Sequence, residues 1–376
     1  MQSQPVRPVS ASLPEFPWDT LADAAALARS HPDGIVDLSV GTPVDPVAPV
    51  IRDALAAASA APGYPTTAGT PALRASVVAA LARRYGVTGL ADAPGAGVLP
   101  VIGTKELIAW LPTLLGLGGD QLVVVPELAY PTYEVGARLA GTTMSRADSP
   151  AALGGTTPAL MYLNSPSNPT GRVLGADELR AVVGWARDHG VLLVSDECYL
   201  GLGWDAQPVS LLHPSVCDGD HTGLLAVHSL SKTSSLAGYR AGFVAGDAAL
   251  VAELLAVRKH AGMMVPTPVQ AAMVAALDDD AHERLQRDRY AGRRAALLPA
   301  LRSAGFTVDH SEGGLYLWAS RGEPCRRTVD WLARRGILVA PGEFYGPAGG
   351  EHVRVALTAT DERIAAAVAR LTDRPD

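Results

Sequence analysis

Lysine is almost absent from this chain: among 31 lysines and arginines, only Lys105, Lys232 and Lys259 are lysines. Arginine serves a solvated charge equally well and cannot deprotonate, so each lysine is a candidate for chemistry that needs a free amine. Cysteine is scarce too. Cys198, Cys217 and Cys325 are odd in number, far apart and without a CxxC pair, which argues against a disulfide framework or a metal site and fits a reducing compartment. No run of roughly 18 apolar residues occurs, and the opening MQSQPVRPVSASLPEF has no apolar core after its Arg. Neither a spanning nor a secretion segment is expected, and the cytoplasm is the expected location. The formal charge is −7 with basic residues scattered, so no nucleic-acid footprint or membrane patch is expected. What remains is an ordinary globular composition, 48% hydrophobic and 18% charged over 376 residues, long enough for two or three domains and free of repeats.

The stretch LLAVHSLSKTSSLAGYRAG, residues 224–242, organises the rest. Leu224–Val227 reads as a buried strand, and Ser229, Ser231 and Lys232 follow where it ends, at the edge where open parallel sheets carry their active-site loops. A partly desolvated lysine can attack a carbonyl to form a Schiff base. Ser229 stands three residues before it and Arg240 eight after, a hydroxyl and a guanidinium suited to the phosphate of a phosphorylated aldehyde. A surface lysine in a Ser-rich loop has the same local sequence.

Other strands end in chemistry in the same way. VLPVIGTKELIAWL reads as strand, Gly103, then a helix opened by Thr104 and Lys105, whose first amides would hold a phosphate through backbone and dipole. QLVVVPELAYPTYEVG places Tyr130 at a strand mouth, where it could stack on a flat ring, with Tyr133 as second choice and a core aromatic as the alternative for both. VLLVSDECYL ends an apolar run in Asp196, a carboxylate that is costly there unless a cation faces it. A ring nitrogen near 3 Å would supply on the order of 5 kcal/mol of attraction at an effective dielectric of about 20; a helix-capping Asp is the alternative. EHVRVAL puts Arg354 among apolar neighbours, where a bidentate carboxylate, from a substrate or from a structural partner, is its natural complement. Gly41, in IVDLSVGTPVDP, allows close approach of a ligand or a plain turn. Thr70 and Pro71 open a helix running to Tyr85, Asp19 is expected to cap a helix over Thr20–Arg29, and DDDAHERLQRDRYAGRRAALLPAL reads as a solvated helix linking two domains.

The Ser229–Lys232–Arg240 spacing resembles the lysine signature of class I/II aminotransferases, which use pyridoxal 5'-phosphate (PLP), and the similarity extends in order through NPTG and DECY to HVRVA. It implies an α/β fold of fold type I: a large domain with a mostly parallel seven-stranded sheet, and a smaller α+β domain built from both termini. The corresponding boundaries are 1–40 for the arm and part of the small domain, 41–285 for the large domain and 286–376 for the small one. By resemblance, Asn168 and Tyr199 hold the cofactor ring oxygen, Asp196 its ring nitrogen, Arg354 the substrate carboxylate, and Tyr64 the cofactor phosphate of a neighbouring subunit in a homodimer with shared active sites. Lys232 then moves the proton of transamination.

SLPEFPWDTLA, VGTPVDPVAPVI, GYPTTAGTPALR and GTKELIAWLPTLLGLG are similar, more narrowly, to succinyldiaminopimelate aminotransferases of actinobacterial lysine biosynthesis. That resemblance implies exchange between N-succinyl-LL-2,6-diaminopimelate and 2-oxoglutarate. Phe16, Glu15 and the Gly313–Trp318 turn are candidate pocket walls, and no metal is expected. Another amino-acid aminotransferase, with aspartate or alanine as donor, and a β-lyase on the same scaffold remain open. A PLP-sensing regulator needs a DNA-reading domain, for which the short N-terminal arm has no room.

Overall fold

The computed structural model describes residues 8–373; the first seven residues of the arm lie outside it. A seven-stranded sheet runs through its centre, formed by β1 (Val98–Val101), β2 (Leu122–Val125), β3 (Thr143–Arg146), β4 (Leu160–Asn164), β5 (Leu192–Asp196), β6 (Leu224–Ser229) and β7 (Gly242–Gly246). The spatial order is β1-β7-β6-β5-β4-β2-β3, and every pairing is parallel except those of β7, which runs against both β6 and β1. The inner strands are largely apolar because both faces are covered, whereas the edge strand β3, TMSR, is partly exposed. Val123 and Val125 enter one core with Tyr162, Val194, Leu225 and Val227, while Val124 enters the other with Met161, Leu163, Leu193 and Ala226. Each such side chain is worth about 1.5–3 kcal/mol of transfer free energy when fully buried.

The period of two decides which chemistry faces which way. Asp196 and Ser229 continue the face of Val194 and Val227, whereas Glu197 and His228 turn to the opposite one. The parallel register sets Asn164 beside Asp196, and Asp196 beside Val227. The reversed β7 sets Gly242 between Ser229 and Val101, so the end of β1, the end of β6 and the entry to β7 share one corner.

A second core takes Leu21, Val36 and Leu38 from the N-terminal side and residues from Tyr290 to Leu371. It packs on an antiparallel sheet of β8 (Thr307–Asp309), β9 (Tyr316–Ser320), β10 (Ala340–Pro341) and β11 (His352–Ala356), in the order β10-β11-β9-β8. Val36–Asp37 pairs in parallel with Ile337–Leu338, which ties the two chain ends together. A boundary at 285 falls inside one 24-residue helix, Asp280–Ser303. That helix is not solvated all round: Glu283, Gln286, Tyr290 and Arg293 are buried on one face, while Arg284, Arg287 and Asp288 are exposed. Asp19 does not cap a helix either. Pro17–Leu21 forms a 3-10 turn with Asp19 inside it, and the α-helix starts at Ala22 with no side-chain cap. Among the described residues no helix is long and apolar enough to cross a membrane.

Thr70 caps Pro71–Tyr85 as its sequence suggests, its hydroxyl accepting from the Leu73 N–H at 3.2 Å. Thr70→Ala should cost about 1 kcal/mol in urea unfolding at unchanged m-value; no loss would mean that another acceptor takes over.

Candidate active site

A cavity of about 290 Å³ opens at the carboxyl edge of β4, β5 and β6, between the large sheet and the second core. Lys232, Asp196, Tyr199, Thr104, Lys105, Tyr130, Asn168, Ser229, Arg240, Gly41 and Arg354, distant in sequence, all line it.

One corner is built for an anion. The helix Thr104–Leu114 begins at Gly103 with no side-chain cap, so its first amides are left for another acceptor. Gly103 does not itself line the cavity. Its φ is +91°, and a Cβ there would collide with the Arg240 guanidinium, so glycine is needed twice over. Arg240 has left-handed φ of 54° and is anchored by donation to the Ala237 carbonyl at 2.9 Å. Ser229 Oγ accepts from the Ser231 N–H at 3.1 Å, which orders the turn leading to Lys232. An uncapped helix start, a guanidinium and a hydroxyl together fit a phosphate.

The floor is a carboxylate without a cation. Asp196 is 8% exposed; Tyr133 donates to its Oδ2 at 2.7 Å and the Cys198 N–H to its Oδ1 at 3.1 Å. Burial pushes its pKa up, and the hydrogen bonds from Cys198 and Tyr133 only partly offset this. Such a carboxyl is complementary to a protonated ring nitrogen. Tyr133 is thus neither a stacking ring nor a plain core aromatic but a donor to Asp196. The Asp196–Tyr133 spacing in sequence carries no signal of this contact.

Lys232 donates to the Gly41 carbonyl, which brings the first chain segment over the lysine. Arg354 is 1% exposed; its Nη1 donates to Asn168 Oδ1 at 3.0 Å and its Nη2 to the Ser39 carbonyl at 2.7 Å. Its Nε has no hydrogen-bond partner. A guanidinium held by two neutral acceptors retains its full charge for a carboxylate. Tyr316 lies beneath it, ring centroid 3.9 Å from Cζ, with its hydroxyl 3.3 Å from that of Tyr199. Burial holds Tyr199 above the usual phenol range; it opposes ionisation of Tyr316 too, but Arg354 and Lys232 nearby outweigh it and hold Tyr316 lower. Tyr316, Trp18 and Cys198 also line the cavity, and nothing in their local sequence marks them as site residues; only the Gly313–Trp318 turn points toward the first.

One expectation needs correction. Phe16 does not line the cavity: it is 51% exposed and packs on Trp18 with centroids 5.6 Å apart, and Trp18 is the arm residue that reaches the wall. The arm turns as a 3-10 helix at Pro17, which rotates Trp18 inward. The Lys105 side chain points away from the anion corner, 3.4 Å from the Tyr130 hydroxyl and 5.5 Å from the ring centroids of both Tyr130 and Phe16. Tyr64 is 99% exposed and does not line the cavity of its own chain.

Behind Asp196, on the other face of the sheet, Glu197 Oε2 and His228 Nε2 lie 3.4 Å apart, and neither atom makes a hydrogen bond. Burial raises Glu197 to about 7 and lowers His228 to about 3.

Fold and cavity define an α/β protein whose site fits a flat phosphorylated ring, with an anion corner, a buried carboxylate, an amine and a buried guanidinium around it. The profile of the family described as aminotransferase class I and II matches residues 33–371, and the chain belongs to that family; it is a PLP-dependent aminotransferase. It is 81% identical over 364 residues to a probable aminotransferase of Mycobacterium tuberculosis, covering 97% of this chain and 86% of the relative. It is 62% identical over 360 residues to the 4-dedimethylamino-4-oxo-anhydrotetracycline transaminase OxyQ of Streptomyces rimosus, covering 96% and 99%. Among solved structures, an N-succinyldiaminopimelate aminotransferase from Mycobacterium tuberculosis superposes with TM-score 0.83 at 27% identity, covering 94% of this chain and 96% of the other.

Glu197 and His228 make stability depend on pH in opposite directions. Folding raises the Glu197 pKa from an ordinary 4.5 to about 7, so this group withdraws stability as pH rises between those values. His228, lowered from 6.5 to about 3, withdraws stability as pH falls through that window. Glu197→Gln keeps an acceptor for the Leu211 N–H and adds a donor for His228. Thermal unfolding should show the variant more stable than the parent at pH 8 and nearly equal at pH 5; an equal difference at both would contradict the buried titration.

Proposed function

We propose that this aminotransferase moves an amino group between N-succinyl-LL-2,6-diaminopimelate and 2-oxoglutarate, giving N-succinyl-2-amino-6-oxopimelate and glutamate, in cytoplasmic diaminopimelate and lysine biosynthesis. The observation that carries the reaction type is the convergence of Lys232, Asp196 and Arg354 on one cavity.

PLP, when bound, supplies an aldehyde for amine exchange and a ring that accepts electrons from the substrate α-carbon. The Thr104 helix start, Ser229 and Arg240 hold its phosphate. Asp196, oriented by Tyr133 and the Cys198 N–H, keeps the ring nitrogen protonated. Tyr130 covers the ring face, and Asn168 and Tyr199 hold the ring oxygen. Lys232 would be the base that takes the proton from the substrate α-carbon and holds it during the exchange. Arg354 receives the substrate α-carboxylate, desolvated and stacked on Tyr316, and so aligns the α-hydrogen with the lysine. Tyr64 is assigned to the phosphate of a second copy in a homodimer, a role supported by its complete exposure on a single chain.

Support for the long acidic substrate comes from the likeness to the Mycobacterium tuberculosis N-succinyldiaminopimelate aminotransferase and from Lys105. Its ammonium stands at the cavity wall with only a phenol and two aromatic faces as neighbours, a cation suited to a distal carboxylate. The likeness to the OxyQ transaminase favours a second reading, a polycyclic ketone as amino acceptor, for which the aromatic wall of Trp18 and Tyr130 is suited. Elimination at the β-carbon would use the same lysine and carboxylate.

Lys232→Ala should fold, lack the absorbance of lysine-bound cofactor and lose transamination; an unchanged spectrum and rate would contradict its assignment. Arg354→Lys should raise KM for every amino acid and oxo acid, about tenfold or more for the loss of bidentate binding, whereas a selective effect on one substrate would exclude the shared carboxylate. A donor–acceptor screen of succinyldiaminopimelate, glutamate, aspartate and alanine with their oxo acids decides the substrate. Preference for alanine over both diacids would overturn the reading, and pyruvate with ammonia would mark a lyase.

A further inference from the structure

Residues 39–45 form a strap that touches both reactive cations. The Ser39 carbonyl accepts from Arg354, the Gly41 carbonyl accepts from Lys232, and Thr358 Oγ1 donates to the Val40 carbonyl at 3.0 Å between them. The strap ends at Asp45, which lies outside the cavity. Its carboxylate accepts from Arg293 Nη2 at 2.6 Å, Arg293 Nη1 at 2.8 Å and Gln286 Nε2 at 2.7 Å. Burial opposes its ionisation, but the Arg293 and Gln286 hydrogen bonds outweigh it and hold the carboxyl below its usual range.

Arg293 and Gln286 lie on the helix Asp280–Ser303, and the same helix holds the lysine segment. Tyr290 donates to the Lys232 carbonyl at 3.2 Å, and His282 is 2.9 Å from Ser234 Oγ. Arg293 also reaches the Arg354 side of the molecule, through Asp361 at 2.8 Å. The helix therefore joins all three: Arg293 holds the strap and the segment after β11, and Tyr290 and His282 hold the lysine-bearing turn.

We propose that Asp45 is a positioning residue: it anchors the strap whose carbonyls seat Lys232 and Arg354, so that one ion pair sets the amine and the guanidinium relative to each other. An ordinary inter-element salt bridge would add stability and nothing more. The difference is that the Asp45 contact is transmitted along four residues to carbonyls on the reacting groups. The proposal rests on the reading of Lys232 and Arg354 as the two reactive cations.

The scarcity of lysine makes the test clean. With the cofactor in its pyridoxamine form, the Lys232 amine is free, and acetylation by a water-soluble active ester can be counted by mass spectrometry at Lys232 relative to the exposed Lys259. Asp45→Asn should raise that ratio by about tenfold, the factor of one charge-assisted hydrogen bond, and Asp45→Glu should restore part of the protection. The kcat/KM values for glutamate and alanine should fall by the same factor. Asp361→Asn, which takes a 75% exposed carboxylate from the same arginine without touching the strap, should leave the ratio as it was. If Asp45→Asn does not fold, Gln286→Ala removes one neutral donor to Asp45 and should raise the ratio by about threefold. A folded Asp45→Asn or Gln286→Ala variant with unchanged labelling and unchanged kcat/KM overturns the proposal. The labelling reads the lysine's confinement and not its chemistry, so it is independent of whether Lys232→Ala abolishes transamination.

Discussion

The structure turns on a carboxylate that the chain itself leaves without a countercharge. Asp196 sits at the end of a strand buried on both faces, and its partners are a phenol and a backbone amide. In that setting the charged form is disfavoured until a cation arrives. The residues around it make sense as a mould for that cation's other ends: an anion corner on one side, an amine and a guanidinium on the other. The carboxyl that costs stability in the isolated chain is what makes the cavity selective for a protonated ring.

The mould is a consequence of sheet order. Parallel strands deliver Asn164, Asp196 and Ser229 to one edge in register, but a purely parallel sheet would carry the entry to β7 to the far edge. Because β7 is reversed, Arg240 enters at the same corner where β1 ends and the Thr104 helix begins. Gly103 is the price of that convergence, since no side chain fits between the helix start and the guanidinium. The second core adds a buried cation to the cavity: β11 presents Arg354 over Tyr316, and the strap 39–45 lies across the gap.

Much of this was legible along the chain. That Asp196, Lys232 and Asn168 lie at or just past strand ends follows from apolar runs that stop at polar residues, and that Arg354 is buried follows from its apolar strand neighbours. The helix Pro71–Tyr85 and its Thr70 cap follow from periodicity and local hydrogen bonding. Local composition is a poor guide at Asp19, Phe16 and the charged helix Asp280–Ser303: the 3-10 turn at Pro17 takes Asp19 off the helix start and Phe16 off the cavity wall, and Asp45 holds Gln286 and Arg293 inward. The Tyr133–Asp196 contact spans 63 residues and has no local signature at all.

Taken alone, the order of residues determined the chemistry available: one unusual amine, a carboxylate and an arginine stranded in apolar runs, and the alternation that implies a doubly covered sheet. Those are properties of short windows, set by side-chain pKa, desolvation cost and strand or helix period. Which groups meet was decided only by tertiary structure. The reversed strand that makes the phosphate corner, the tyrosine beneath Arg354 and the strap between the two cations depend on segments far apart in the chain, and contact between such segments is fixed by the simultaneous burial of many surfaces rather than by any one stretch.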